Sequence, residues 1–390
     1  MKKFASFFAV FLFITLFAVA SEAGDRNIPV EVAQLTDSLK KQFAPDRRVA
    51  LLDIDYSFSD KNVMLRGVTT SAEAKNALLK ELARKGYTVM DCLELLPDVK
   101  GLEGKTCGII NVSVANMRVA PDFSSEMMTQ SLMGMPVRVL QRDGWVRIQT
   151  PDNYIAWVHR VGVHPVTEEE MAAWNKAEKI VVTAHYGFVY SEPNQTSQTV
   201  SDVVAGNRLK WEGSKGAFYK VTYPDGRRGY ISKSIAMPEK KWRSGLQQDA
   251  AGIPYLWAGT SSKGVDCSGF MRTILFMHDI IIPRDASQQA YVGEHIDIAA
   301  DFSNLQPGDL IFFGRKATPE RKERVVHVGM YIGGKRFIHS QGDVHISSFD
   351  PADELFDEYN HGRLLFATRV LPYINKEEGL NTTETNEYYK

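Results

Sequence analysis

The sequence predicts a multidomain α+β protein: a small N-terminal α+β module, two small β-barrels and a C-terminal α+β domain. Three observations carry that prediction. The chain has 390 residues, too many for one ordinary domain and enough for two to four. Its middle holds an internal repeat of alternating apolar residues separated by turn signals. From about residue 238 the pattern changes to mixed helical and strand segments.

The first residues read as a transport signal. Lys2 and Lys3 give a positive start, Phe4 to Ala20 is almost wholly apolar, and the small residues Ala18, Ala20 and Ala23 suit cleavage after Ala20 or Ala23. An uncleaved anchor is the alternative, but the run is short for a bilayer span and no basic flank follows it. Residues 1–23 are therefore assigned to a signal peptide. The mature protein is expected to be exported, periplasmic or secreted, and not an integral membrane protein. Lys and Arg number 46 against 47 Asp and Glu. Without a basic excess to neutralise phosphates, nucleic acid is not expected as a partner.

Residues 24–105 form the small α+β module. Val30 to Phe43 carries helical periodicity, and Arg48 to Tyr56 and Asn62 to Val68 read as strands. Thr70 to Lys85 reads as a helix with a polar start at Thr70-Ser71 and Gly86 at its end, and Tyr87 to Leu95 as a third strand. The cysteines are Cys92, Cys107 and Cys267, an odd count that leaves at least one free thiol in an exported protein. Cys92 and Cys107 are close enough to pair, closing a loop worth roughly 3 kcal/mol, or they are two small buried residues. Either way Cys267 is left over.

The repeat follows. Trp145 to Trp157 and Phe218 to Tyr230 have the same spacing, with Pro151-Asp152 and Pro224-Asp225 between them. This pattern of short antiparallel strands predicts barrels over 106–165 and 178–237, with Trp145, Trp157, Trp211 and Tyr230 in their cores or grooves. Between them, 166–177 is a linker helix that Thr167 and Glu170 start with a capping box. Residues 376–390 are polar, lack a core-forming pattern and are expected to be disordered.

The segment that carries chemistry is "YLWAGTSSKGVDCSGFMRTILFMHDI". A turn-rich loop from Gly259 to Gly264 leads to Cys267, after which Phe270, Ile274, Leu275 and Phe276 mark an apolar helix face. Cys267 thus stands at a helix N-terminus, where the dipole and unpaired N–H groups favour an anion and lower a thiol pKa. The same N–H groups can hold an oxyanion. A second segment, "VVHVGMYIGGKRFIHSQG", reads as a hairpin. A three-residue loop of Ile332, Gly333 and Gly334 sets His327 directly opposite His339 on one face, whereas a two-residue turn puts them on opposite faces. Taken singly, the cysteine is an ordinary core residue and each histidine an ordinary strand residue. The three together point to a thiol nucleophile with its base.

In order along the chain, "DCSGF", "LQPGDLIFF" and "HVGMYIG…FIHS" resemble the NlpC-type papain-like cysteine peptidases, over about 245–373. The domain they belong to is placed at 238–375. The resemblance implies a peptidoglycan peptidase with Cys267 as nucleophile, His327 as general base and His339 orienting His327, with no metal or other cofactor. Ala258 departs from the family's frequent second glycine beside Gly259. The two barrels resemble tandem bacterial SH3-like domains, and the N-terminal module resembles a BON-like module, which implies binding or spacing. NlpC-type domains behind two SH3-like domains resemble enzymes that cleave the γ-D-glutamyl–diamino acid bond of stem peptides bearing a free N-terminal L-alanine. That resemblance implies a peptide-binding set of Asp266, Ser268 and Tyr255 beside the nucleophile and Glu126 and Tyr154 from the first SH3-like domain. Ser287 and Asp285 in "PRDASQQ" join it. Read on their own, Glu126 is a solvated charge, Tyr154 a barrel core aromatic and Asp266 a helix cap. The partners implied are peptidoglycan stem peptides (muropeptides). Three alternatives stay open: an endopeptidase on intact peptidoglycan, a non-catalytic wall-binding protein, and a zinc site of Cys267, His327 and His339 that lacks the usual close ligand pairs.

Overall fold

The computed structural model of the protein describes residues 28–242 and 252–390. The expected signal peptide, 1–23, lies outside the described residues. Among those described, no helix is long and apolar enough to cross a membrane. The chain divides into two units that part after Val99.

In the first unit, α1 (Val30–Phe43) precedes β1 (Leu52–Ser59), β2 (Asn62–Thr69), α2 (Ala72–Arg84) and β3 (Thr88–Leu95). β2 pairs antiparallel with β1 and parallel with β3, so α2 is the crossover that a parallel pair needs. Val32 and Leu39 of α1 and Leu78 and Leu82 of α2 close over Val63 and Leu65. Ser71 caps α2 by accepting the Ala74 N–H at 3.0 Å. β1 starts at Leu52 and not at Arg48. The Asp46 carboxylate takes both the Arg48 N–H and its guanidinium, at 2.9 and 2.7 Å, and holds that stretch as a turn.

The second unit begins with two barrels. The first contains β4 (Cys107–Ile110), β5 (Val114–Arg118), β6 (Met127–Leu132), β7 (Pro136–Asp143), β8 (Trp145–Gln149), β9 (Ile155–His159) and β10 (Val163–Val166). After α3 (Glu168–Lys176) come β11 (Lys179–Val182), β12 (Tyr186–Tyr190), β13 (Thr199–Val204), β14 (Arg208–Lys215), β15 (Phe218–Thr222), β16 (Arg228–Ser232) and β17 (Ala236–Pro238). The strand orders are β10-β4-β7-β8-β9-β5-β6 and β17-β11-β14-β15-β16-β12-β13, the same arrangement strand for strand. The repeated spacing appears as repeated register, with Trp145 opposite His159 and Phe218 opposite Ser232. The two Pro-Asp pairs fall in the matching turns. The Thr167–Glu170 capping box is present at α3, with both of its hydrogen bonds.

Two expectations are corrected in these regions. Cys92 and Cys107 are both free thiols. Cys92 is exposed on β3, while Cys107 packs against Ile109, Val166, Met171 and Trp174, beside α3. Residues 376–390, expected to be disordered, are an ordered strap. Asn381 pairs with Ile281, Asn386 Nδ2 donates to the Pro151 carbonyl at 2.9 Å, and Leu380 and Tyr388 are buried. The strap ends in a short 3-10 turn at Glu387–Tyr389, whose Tyr389 ring lies 5.0 Å from the guanidinium of buried Arg208. Its polar composition hid a few well-placed aromatics that suffice to anchor it.

The C-terminal region follows a short helix, α4 (Glu239–Trp242). A two-stranded ribbon, β18 (Thr260–Ser261) and β19 (Gly264–Val265), leads into α5 (Cys267–Met277) and α6 (Ala286–Gln289). Then come β20 (Glu294–Ile296), β21 (Leu310–Arg315), β22 (Arg324–Gly333), β23 (Arg336–Gln341), β24 (Asp343–Ser348), α7 (Glu358–Gly362) and β25 (Leu364–Arg369). The six strands form an antiparallel sheet in the order β20-β25-β21-β22-β23-β24. Phe270, Met271 and Leu275 of α5 pack on Phe312, Val328 and Phe366 of that sheet. Phe276, at the far end of α5, enters the core of the first barrel together with Ile281. The helix that starts at Cys267 is therefore fastened to sheet and barrel alike.

Candidate active site

Asp266 caps α5 and Cys267 is its first residue, as the loop-to-helix pattern predicts. Asp266 Oδ1 accepts the Gly269 N–H at 2.7 Å, and the helix start is pressed against the preceding loop. A Cβ at Gly269 would stand 1.9 Å from the Gly259 carbonyl oxygen, so only glycine fits there. Ala258 lies in that loop with a φ of 63°, a left-handed conformation that costs alanine energy. Its N–H donates to Asp266 Oδ2 at 3.0 Å, which holds it in place.

The thiol does not follow the helix-terminus argument. Burial pushes Cys267 up to about 11 and the Asp266 carboxylate adds to the rise; the N–H groups of Val328 and Ser268 and the charge of Arg284 pull the other way and lose. Cys267 packs against the core cluster that holds Val328 of β22, the residue after His327.

His327 and His339 meet, but not through the expected register. β22 and β23 turn through Gly334 and Lys335, with φ of 60° and 59°, as a two-residue turn between paired Gly333 and Arg336. A bulge at Ile332 then inserts one residue, so His339 faces Gly329, not His327. Turn and bulge together restore the parity that a two-residue turn alone would break. His327 and His339 become diagonal neighbours on one face, with His327 Nε2 and His339 Nδ1 2.8 Å apart. Gly329 leaves the gap, for a Cβ there would come within 3.1 Å of the His339 Cβ. Burial holds His327 well below the ordinary imidazole range, reinforced by His339, Arg363 and His345. Burial and His345 take His339 down to about 4, against Asp357. Near pH 7 the resting site is thus a neutral thiol beside neutral imidazoles.

The expected peptide-binding residues fall into three groups. Asp266 and Ser268 share one cation that the sequence reading missed, Arg284. It is 1% exposed and reaches Asp266 Oδ2 at 2.8 Å, Asp266 Oδ1 at 3.2 Å and Ser268 Oγ at 3.0 Å. Its Nε donates to Thr129 Oγ1 of β6 at 2.9 Å, tying the first barrel to the cap of α5. Tyr255 stands beside them; burial, Cys267 and Asp266 push its hydroxyl up to about 12. The second group spans barrel and C-terminal domain. Tyr154 is 3% exposed, yet its hydroxyl donates to Asp285 Oδ2 at 3.0 Å, so the core aromatic is also a contact across the boundary. Exposed Glu126 accepts from Trp257 Nε1 at 3.1 Å, two residues beyond Tyr255. Ser287 stands apart, lining a cavity of about 700 Å³ with Tyr291, His295, Arg324 and Phe366, whose walls include neither Cys267 nor the two histidines. Arg284 was legible as the lone cation in "IIIPRDA", a stretch otherwise apolar on its N-terminal side. Trp257 had no such signal.

Comparison with known proteins agrees with this architecture. The NlpC/P60 family model matches residues 252–364, the model of the bacterial dipeptidyl-peptidase SH3 domain matches 117–161, and that of the bacterial SH3 domain matches 185–235. A γ-D-glutamyl-L-lysine dipeptidyl-peptidase of Bacillus cereus is 32% identical over 236 residues, covering 56% of this chain and 68% of the relative. Dipeptidyl-peptidase 6 of Lysinibacillus sphaericus is 25% identical over 270 residues, covering 64% of this chain and 93% of the relative. The crystal structure of an NlpC/P60 family protein from Bacillus cereus superposes with a TM-score of 0.57 at 25% identity, covering 68% of this chain and 100% of that one. The chain belongs to the NlpC/P60 family, with two bacterial SH3 domains ahead of its peptidase domain.

Proposed function

We propose that this peptidase cleaves the γ-D-glutamyl–diamino acid bond of released peptidoglycan stem peptides that carry a free N-terminal L-alanine, outside the inner membrane. The observation that carries the reading is a pair of contacts between the first SH3 domain and the peptidase domain: Glu126 with Trp257 of the loop before Cys267, and Tyr154 with Asp285 at the cap of α6. In this reading that domain leans over the peptide side of the nucleophile, and Glu126 is a carboxylate for the substrate's ammonium group. The SH3-domain match and the named activity of the Bacillus cereus relative support the same reading.

In the chemistry, His327 takes the Cys267 proton as sulfur attacks the γ-glutamyl carbonyl, forming the C–S bond and an oxyanion that N–H groups of the first turn of α5 can hold. Collapse breaks the C–N bond, and His327 returns the proton to the leaving amine. Water then hydrolyses the thioester with His327 as base, releasing L-Ala-D-Glu and the thiol. One observation favours the second reading, an endopeptidase on intact peptidoglycan. Arg284 already neutralises Asp266, so less charge remains to attract an ammonium group.

The test incubates the mature protein with L-Ala-γ-D-Glu-diaminopimelate, its N-acetylated form and intact sacculi, beside Glu126→Ala. Cleavage of the free peptide alone, with a KM raised roughly tenfold in Glu126→Ala, is the expected outcome. Equal cleavage of the acetylated peptide or of sacculi overturns the free-amine reading in favour of the endopeptidase.

A further inference from the structure

Beyond His339 runs a chain of polar groups that the proposed chemistry does not use. His339 Nε2 lies 3.0 Å from Ser347 Oγ on β24, and Ser347 donates to Asp357 Oδ2 at 3.4 Å. Asp357 Oδ2 is also 4.0 Å from His339 Nε2. The other oxygen of Asp357 caps α7 by accepting the Asn360 N–H at 2.9 Å. Asn360 is fully buried and turns its Nδ2 to Asp357. Arg363 holds the opposite end of that amide, donating to Asn360 Oδ1 from Nε at 3.0 Å and from Nη2 at 2.7 Å. Burial alone would raise the Asp357 carboxyl, but these donors, His339 and Ser347 keep it below the usual carboxylate value.

An ionised carboxylate only accepts, and a serine has one proton to give. With that proton committed to Asp357, Ser347 can only accept from His339. His339 then carries its hydrogen on Nε2 and a lone pair on Nδ1. His327 Nε2, 2.8 Å from that lone pair, must be the donor. Its Nδ1 is left as the basic nitrogen. Run in reverse, the two contacts of His339 would be equally satisfied: Ser347 would donate to His339, His339 to His327, and His327 Nδ1 would hold the hydrogen and could accept no proton from a thiol. Geometry alone does not choose between the two directions; a carboxylate at the end of the chain does.

We propose that Asp357, acting through Ser347, is a positioning residue that sets the tautomers of His339 and His327 and so leaves His327 Nδ1 as the base for Cys267. The inference rests on the catalytic reading above for its consequence, but the tautomers themselves do not depend on it.

The experiment labels the histidines of the mature protein with 15N and reads ring tautomers by long-range 1H–15N NMR at pH 7.5. Wild type is compared with Ser347→Ala, Ser347→Thr and Asp357→Asn; asparagine keeps the cap of α7. Both rings should be Nε2–H in wild type and Ser347→Thr, and of mixed tautomer in Ser347→Ala and Asp357→Asn. On the free peptide, kcat should fall about tenfold or more in the latter two with KM within about twofold, and Ser347→Thr should restore it. A wild-type His339 bearing its hydrogen on Nδ1, or a Ser347→Ala protein with unchanged tautomers and kcat, overturns the proposal. Because the spectra need no substrate, a protein that cleaves no wall peptide still gives the answer.

Discussion

Burial and the helix terminus act on the Cys267 sulfur in opposite directions. A helix start offers a fraction of a charge at its N–H groups, whereas taking a thiolate out of water costs more than those groups return. The Asp266 carboxylate, one residue away, adds repulsion. Cys267 is therefore a thiol at neutral pH, and in the proposed mechanism its attack requires proton transfer to His327 within the step. Alkylation of the free enzyme by iodoacetamide tests this, because only the thiolate reacts. Its rate should still be climbing with pH at pH 9, since the thiolate fraction grows up to about 11. A plateau between pH 5 and 8 would mean a preformed ion pair. At Arg284, a buried cation faces Asp266 with both charges out of water. Arg284→Met strands the carboxylate and should cost roughly 3–5 kcal/mol in urea unfolding. Adding Asp266→Asn to it should recover part of the loss. No recovery would mean that the two side chains are not energetically coupled.

Along the elements, the sequence was most legible where periodicity and caps act over a few residues. Val30–Phe43, the Thr167–Glu170 box and the start of α5 at Cys267 all stand where the pattern places them. The histidine hairpin shows the limit. Gly333, Gly334 and Lys335 allow more than one turn, and local residues do not say that a bulge follows; packing of Phe337 and Tyr331 into the sheet core decides it. A register error of two leaves every side chain on its own face, so the pair was found although its partners were misassigned. Deleting Ile332 removes the bulge and turns His339 to the opposite face. Circular dichroism should stay near native while turnover falls by about three orders of magnitude. Turnover within about tenfold of wild type would refute this account of the hairpin. Arg284 was missed for a related reason: its partners Thr129, Asp266 and Ser268 are distant in sequence, and no spacing rule joins them.

Across the second unit, the peptidase domain, the barrels and the C-terminal strap are packed as one body. Arg208 of the second barrel lies under Trp242, Phe276 and Tyr389, at 4.8, 4.8 and 5.0 Å, with Glu239 at 3.1 Å. The strap supplies one of those rings and buries Leu380 and Tyr388 besides. Removing residues 376–390 should cost at least about 3 kcal/mol and lower Tm by roughly 6–12 °C; an unchanged Tm would show the strap to be dispensable. Such fastening keeps Glu126 on Trp257 of the loop before Cys267 and Tyr154 on Asp285 at the cap of α6, which the proposed specificity requires. The most direct test of the central claim is to mix the protein with L-Ala-γ-D-Glu-diaminopimelate, quench in acid within milliseconds and map adducts by mass spectrometry. The account predicts one L-Ala-γ-D-Glu acyl group on Cys267, lost in His327→Ala, and no turnover in Cys267→Ala. Continued hydrolysis by Cys267→Ala, or an acyl group on another residue, would contradict it.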